Sequence, residues 1–238
     1  MDAIAYYKSL HTSAGLTQDS TFQDADARKL HNISHGYLTD FAELRESIDG
    51  RHESPIFDLA LKEYQFALFA LSTGQYRHAF IGLRLFFELW LAAVYFSANE
   101  LDQCLWERGD KDINWQQLIN SDNGILSKLF GKAFNEGLVE NVAAFRSIAE
   151  KVYRECSEYV HGNLHTHEGL PNEIRFIKEP CLEWHEKAKN MHFVILFVFS
   201  VRYLQHLSNE SRRKLEPIIT GELGHIPDLR AQFSVENN

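Results

Sequence analysis

Between Asp24 and Ile48 the apolar residues Leu30, Ile33, Tyr37, Phe41, Leu44 and Ile48 recur every three or four positions, the spacing that gathers side chains on one stripe of an α-helix. Asp49-Gly50 closes that helix. Ser54-Pro55 opens the next, as an N-cap followed by a first-turn proline, with Leu59, Ala60, Tyr64, Ala67 and Leu71 pointing inward until Gly74 ends it. Only a few residues separate it from a third helix, about 75–99, so the two are expected to form an antiparallel hairpin. In this third helix Phe80, Leu83, Phe86, Phe87, Trp90, Leu91, Val94 and Tyr95 leave little polar face, which makes it the expected centre of the core. Arg84 and Glu88, spaced i,i+4 within it, read as a structural ion pair.

Farther along, 110–137 holds two short helical pieces around the turn Ser121-Asp122-Asn123-Gly124, with Trp115, Leu118, Leu129, Phe130 and Phe134 as packing residues. A long helix is expected from about Leu138 to His161, striped by Val142, Phe145, Ala149, Val152, Cys156 and Tyr159, and ended by Gly162-Asn163. Ile174 and Phe176 alternate with Glu173 and Arg175, a short extended segment or small hairpin within 168–179. The last long helix, about 182–207, carries the apolar run Phe193 to Val201. Beyond Ser208, Pro217, Gly221, Gly224 and Pro227 suggest a short irregular tail. The expected fold is therefore all-α, an antiparallel helical bundle over 55–207 with at most a short β-hairpin after the 138–161 helix. It carries an N-terminal helical extension (1–54), an insertion or cap (100–137) and a C-terminal tail (208–238).

Composition narrows the function classes. With 238 residues, 45% of them hydrophobic, the chain can bury a full core. Three widely spaced cysteines, Cys104, Cys156 and Cys181, fit neither a disulfide framework nor a paired zinc-ribbon pattern. The run Phe193 to Val201 stops at Arg202, about half of the ~20 residues a bilayer crossing needs, and the N-terminus has no basic start followed by an apolar stretch. A cytoplasmic protein without a membrane span is expected. The formal charge of −9 gives no global attraction to phosphate backbones, so any nucleic-acid role must rest on a local site.

That site is sought in Tyr153-Arg154-Glu155-Cys156-Ser157-Glu158-Tyr159-Val160-His161. At 100° per residue Arg154 and His161, seven positions apart, differ by about 20° in direction and point away from the apolar stripe centred on Phe145. Guanidinium can hold and neutralise a phosphate while imidazole exchanges protons near neutral pH, a pairing suited to phosphodiester cleavage. RNA needs no metal for this, because its 2′-hydroxyl is an internal nucleophile and leaves a 2′,3′-cyclic phosphate. Ser157, between them, could hydrogen-bond phosphate; Tyr153 and Tyr159 could stack on bases or pack in the core; His165 and His167 lie in the following loop as substrate-binding candidates. Two bland readings stand beside these: Glu150 and Glu158 could pair with Arg154 on a solvated face, or the face could serve only dimer packing. His161, His165 and His167 could also contribute to a zinc site completed by His185, Glu168 or Cys181, although Gly162-Asn163 disfavours the helix that an i,i+4 pair requires. Cys156 lies on the apolar stripe and reads as a buried small hydrophobe.

The spacing Arg154-x6-His161 near the end of a helix resembles the R-x(4–6)-H motif of the HEPN superfamily. The layout from about Pro55 to Leu207 is similar as well: an antiparallel helical pair, a variable segment, a motif-bearing helix that breaks, and a final apolar helix. The same spacing occurs at Arg28/His35 and Arg45/His52, and placement at the end of the penultimate long helix singles out Arg154/His161. The resemblance implies a homodimer in which two Arg/His motifs converge, with metal-independent endoribonuclease activity, RNA as substrate, no cofactor, and a role as a toxin or antiviral effector. The alternative is a catalytically inactive helical subunit of a defence or toxin–antitoxin complex. From Glu140 to His161 four acidic residues face three basic ones, so positive charge at the site requires two chains together.

Overall fold

The computed structural model describes residues 2–161, 164, 166 and 170–234. Among them are eleven α-helices and no strand. We number them α1 (Ala3–Gln23), α2 (Ala25–Glu46), α3 (Ser54–Ser72), α4 (Tyr76–Phe96), α5 (Glu100–Glu107), α6 (Trp115–Leu118), α7 (Lys128–Phe134), α8 (Val142–Ser157), α9 (Lys178–Tyr203), α10 (Asn209–Leu223) and α11 (Pro227–Ser234). A 3₁₀ turn, Glu136–Asn141, leads into α8.

The hairpin of α3 and α4 is the most extensive pairing, and α9 packs on α2, α4 and α8 to close the bundle. Gly82 explains how closely the hairpin approaches: a Cβ there would lie 3.1 Å from Ala67 Cβ. α4 and α9 are buried nearly all round, Phe86, Trp90, Trp184 and Phe197 among the fully enclosed side chains. Two buried polar groups tie helices together: Trp184 Nε1 of α9 donates to Ala79 O at 2.9 Å, and Tyr64 Oη of α3 donates to Ser34 O at 2.8 Å, while Trp90 Nε1 of α4 is buried with no hydrogen-bond partner among the described residues. By length and composition α4 could cross a bilayer, yet 72% of that window is buried inside the bundle, as in a core helix.

Several elements depart from the periodicity reading. Ser54 is not the cap of α3 but lies in its first turn, its hydroxyl donating to Ile48 O at 2.9 Å, with Glu53 at the cap position. Ile33 and Leu59 sit at the edges of their stripes and are exposed, and Leu129 is exposed because Phe130 and Phe134, i,i+4 apart, take the inner face of α7. Residues 170–177 form no strand. They run alongside helices that present no backbone edge to pair with, held instead by Ile177 N donating to Tyr76 Oη at 2.7 Å.

The expected tail is two helices. Ser208 caps α10, its Oγ accepting from Ser211 N at 3.1 Å, and Leu215, Ile219 and Leu223 are buried at i,i+4,i+8 spacing against α9 and α2. That burial outweighs Pro217 inside the helix, which costs about 3 kcal/mol. Pro227 begins α11, whose Leu229 and Phe233 are buried in turn.

Candidate functional site

α8 is amphipathic over its whole length: Val142, Phe145, Ala149, Val152 and Cys156 are buried, while its outer side carries Arg154. Regular α-helix ends at Ser157 rather than His161. Tyr159 N donates to Cys156 O and Val160 N to Ser157 O, both i→i+3, before His161 N returns to Ser157 O at 3.2 Å. This tightening displaces His161 round the axis from the straight extension of the Arg154 row. Both side chains remain exposed, and neither has a hydrogen bond or ion pair with a described residue. The other two Arg-x6-His matches are occupied structurally. Arg45 grips Asp58 through Nε and Nη2 at 2.8 and 3.0 Å and also pairs with Asp49; Arg28 Nη1 donates to Phe22 O at 3.2 Å.

Ser157 lies on the seam between α8 and α4. Its Oγ donates to Tyr153 O at 2.7 Å and accepts from Arg84 Nε at 3.1 Å. Arg84 also bonds Tyr153 Oη and pairs with Glu88 at 3.5 Å, and Tyr153 Oη donates to Glu88 at 3.1 Å. Thus the ion pair expected within α4 is formed, and it fastens α8 as well. Trp115 stacks on the Tyr153 ring with centroids 3.5 Å apart, and the Arg84 guanidinium lies over it. Burial, with Glu88 adding to it, pushes the Tyr153 phenol up to about 12.

Tyr159 is corrected as a base-stacking residue. It is buried, with Phe80 parallel to it at 3.8 Å, so the ring face an RNA base would need is taken by core packing. Its backbone oxygen accepts from Arg77 Nε at 3.1 Å, tying the end of α8 to the start of α4. Nothing in the local sequence places Arg77 there, and this contact fixes its position. His165 and His167, with Gly162, Asn163 and Glu168, lie outside the described residues.

The remaining zinc candidates are dispersed into the core. His185 Nδ1 is 2.8 Å from Ser34 Oγ and the ring packs edge-on against His31 and Trp184. Cys156 and Cys181 are buried, which pushes both thiols up to about 12 and keeps them protonated. Among the described residues no group of three or more His, Cys, Asp or Glu is arranged to hold a metal ion.

Glu155 turns away from Arg154 to α9, where Lys187 Nζ meets it at 2.7 Å and Glu183 at 3.7 Å. Beside this contact a cleft of about 430 Å³ is lined by Glu155, Glu158, Glu179 and Glu183. Arg154 on α8 therefore lies near an acidic surface on the α9 side, a feature of charge distribution that no linear motif carries.

Comparison with family models, curated proteins and solved structures returns no match to this chain.

Proposed function

We propose that the chain is a metal-independent endoribonuclease of the HEPN type, acting in the cytoplasm in antiviral defence or as a toxin. What carries the reading is the pair Arg154 and His161 at the open end of α8, both exposed and without a partner among the described residues, while the two other matches to the spacing lie elsewhere. A second copy of the chain supplies a second pair. The 2′-oxygen bonds to phosphorus as one His161 takes its proton, the P–O5′ bond breaks, and the leaving oxygen receives a proton from the partner's His161. Arg154 from each chain offsets the growing charge on the phosphoryl oxygens. A second Arg154 would add to the single cation that one chain offers beside a cleft lined by four glutamates, which favours a composite site.

Single-stranded RNA incubated with the protein in EDTA should be cut to 2′,3′-cyclic phosphate ends, and Arg154→Ala and His161→Ala should each lose cleavage while keeping the wild-type helical content. Undiminished cutting by both variants sinks the assignment.

A second reading, a catalytically silent subunit of a defence or toxin–antitoxin assembly, is favoured by a different observation. Leu59, Phe66 and Phe69 on α3 are exposed by 43%, 66% and 59%, as is Leu85 by 38%, beside Arg84 on α4. Absence of cleavage, together with a stable assembly that Phe66→Asp disrupts, would carry this reading instead.

A further inference from the structure

A cleft of about 310 Å³ opens between the middle of α1, the α3–α4 turn and the segment 170–174, and none of its lining residues belongs to the Arg154/His161 pair. We propose that it binds a small organic anion, a carboxylate or phosphate carried on an apolar body about the size of one ring. Its volume falls at the lower end of the range for small-molecule sites.

Leu10, Leu170 and Ile174 give the lining its apolar part, beside Gln75, Asn172 and Glu173, and Arg77 and His78 stand exposed at the start of α4. Arg77 is held there by its Nε bond to Tyr159 O at 3.1 Å. Anchored through Nε, the guanidinium keeps its two Nη groups for an oxyanion at little further cost in side-chain entropy. His78 adds a ring N–H from the neighbouring position.

Charge selects the sign of the ligand. Glu173 is the one carboxylate on this lining, and Arg175 lies 3.9 Å from it. The cleft between α8 and α9 is lined by four glutamates, and another near α10 by Glu43, Glu46 and Glu210 against Lys214. In a chain of net charge −9, a cleft whose lining sets one arginine against one carboxylate, the latter already facing Arg175, departs from the glutamate-rich clefts elsewhere.

The cleft is also built rather than incidental. Gly74 has φ +77°, and a Cβ there would lie 2.8 Å from Thr17 Cγ2 and 2.9 Å from Arg175 O, so α1, the turn and the segment 170–177 meet at one glycine. Tyr76 Oη, bonded to Ile177 N at 2.7 Å, holds the same segment from the other side.

Calorimetric or NMR titration of the full chain with phenyl phosphate and benzoate, against phenol, inorganic phosphate and acetate, tests this. At least one aromatic anion should bind tenfold or more tightly than phenol and its own small anion, and the better of the two identifies the head group. His78→Ala should weaken that binding severalfold. Ile174→Glu, which places a carboxylate on the apolar wall, should weaken it at least tenfold with an unchanged melting temperature. No gain over the half-ligands, or equal binding by folded Ile174→Glu and wild type, overturns the proposal. RNA cleavage is not the readout, so failure here is distinguishable from failure of the ribonuclease reading.

Discussion

Two histidine-bearing regions of this molecule show how burial divides one residue type between packed core and open surface. Along the α2–α9 interface, His31 and His185 face each other edge to face with ring centroids 5.7 Å apart, and His192 stacks on Tyr37 with its Nε2 2.9 Å from Asp40. Desolvation, and then their mutual repulsion, pushes His185 down to about 3; burial, with His35 nearby, pushes His31 down to about 4. Both are neutral spacers at ordinary pH. His161, exposed at the end of α8, has none of these constraints. The same imidazole is a neutral packing unit in one place and a solvent-exposed side chain in the other, and the neighbours decide which.

Acid should separate the two regions most strongly. The folded-state values of His31 and His185 lie below the ordinary 6.5, so their neutral forms are favoured in the fold and the unfolded chain binds more protons. Their contribution is complete above about pH 6.5 and is lost as pH falls toward 4 and 3, on the order of 2 to 3 kcal/mol per histidine by about pH 4.5. Urea unfolding at pH 7 and 4.5 should show this loss in wild type and a smaller one in His31→Phe, where Phe22 already offers an aromatic contact. Equal losses in the two proteins would break the comparison on its buried side.

A smaller effect is expected at the seam between α4 and α8. Arg84→Ala leaves Glu88 and the Tyr153 hydroxyl without their cation and Ser157 Oγ without its donor, which should cost about 1–3 kcal/mol by urea unfolding. A change below about 0.5 kcal/mol would mean that solvent replaces the network.

The smallest stability effect belongs to the exposed pair. Arg154→Ala and His161→Ala should each alter unfolding free energy by no more than about 0.5 kcal/mol, since neither side chain contacts a described partner. A loss of 2 kcal/mol from either would make the pair structural and blur its contrast with His31 and His185.

Much of the bundle was legible because local periodicity and the core use the same physics. The stripe Val142, Phe145, Ala149, Val152 and Cys156 is the buried face of α8, and the all-round apolar pattern of α4 matches its place in the centre. The two helices of the tail are not legible locally because Pro217 and Gly224 are breakers, whereas the burial of Leu215, Ile219 and Leu223 depends on surfaces of α2 and α9. For the candidate site, spacing showed Arg154 on the outer face of α8, but the shared direction it implied for His161 assumed a regular helix past Ser157, where the backbone tightens instead. It could not show that Tyr159 is covered by Phe80, that Ser157 is already bonded to Arg84, or that Glu155 turns to Lys187.

The sequence by itself determined the helical class, the α3–α4 hairpin and the exposure of Arg154, because each follows from side-chain periodicity along one helix or across one short turn. Tertiary structure alone decided which polar residues are engaged and where charge accumulates. Arg77 on Tyr159 and the cleft at the start of α4 join segments many tens of residues apart, and the acidic cleft joins α8 to α9 across more than twenty residues. Periodicity reports the direction of a side chain from its own axis, and only packing of the axes determines what it meets.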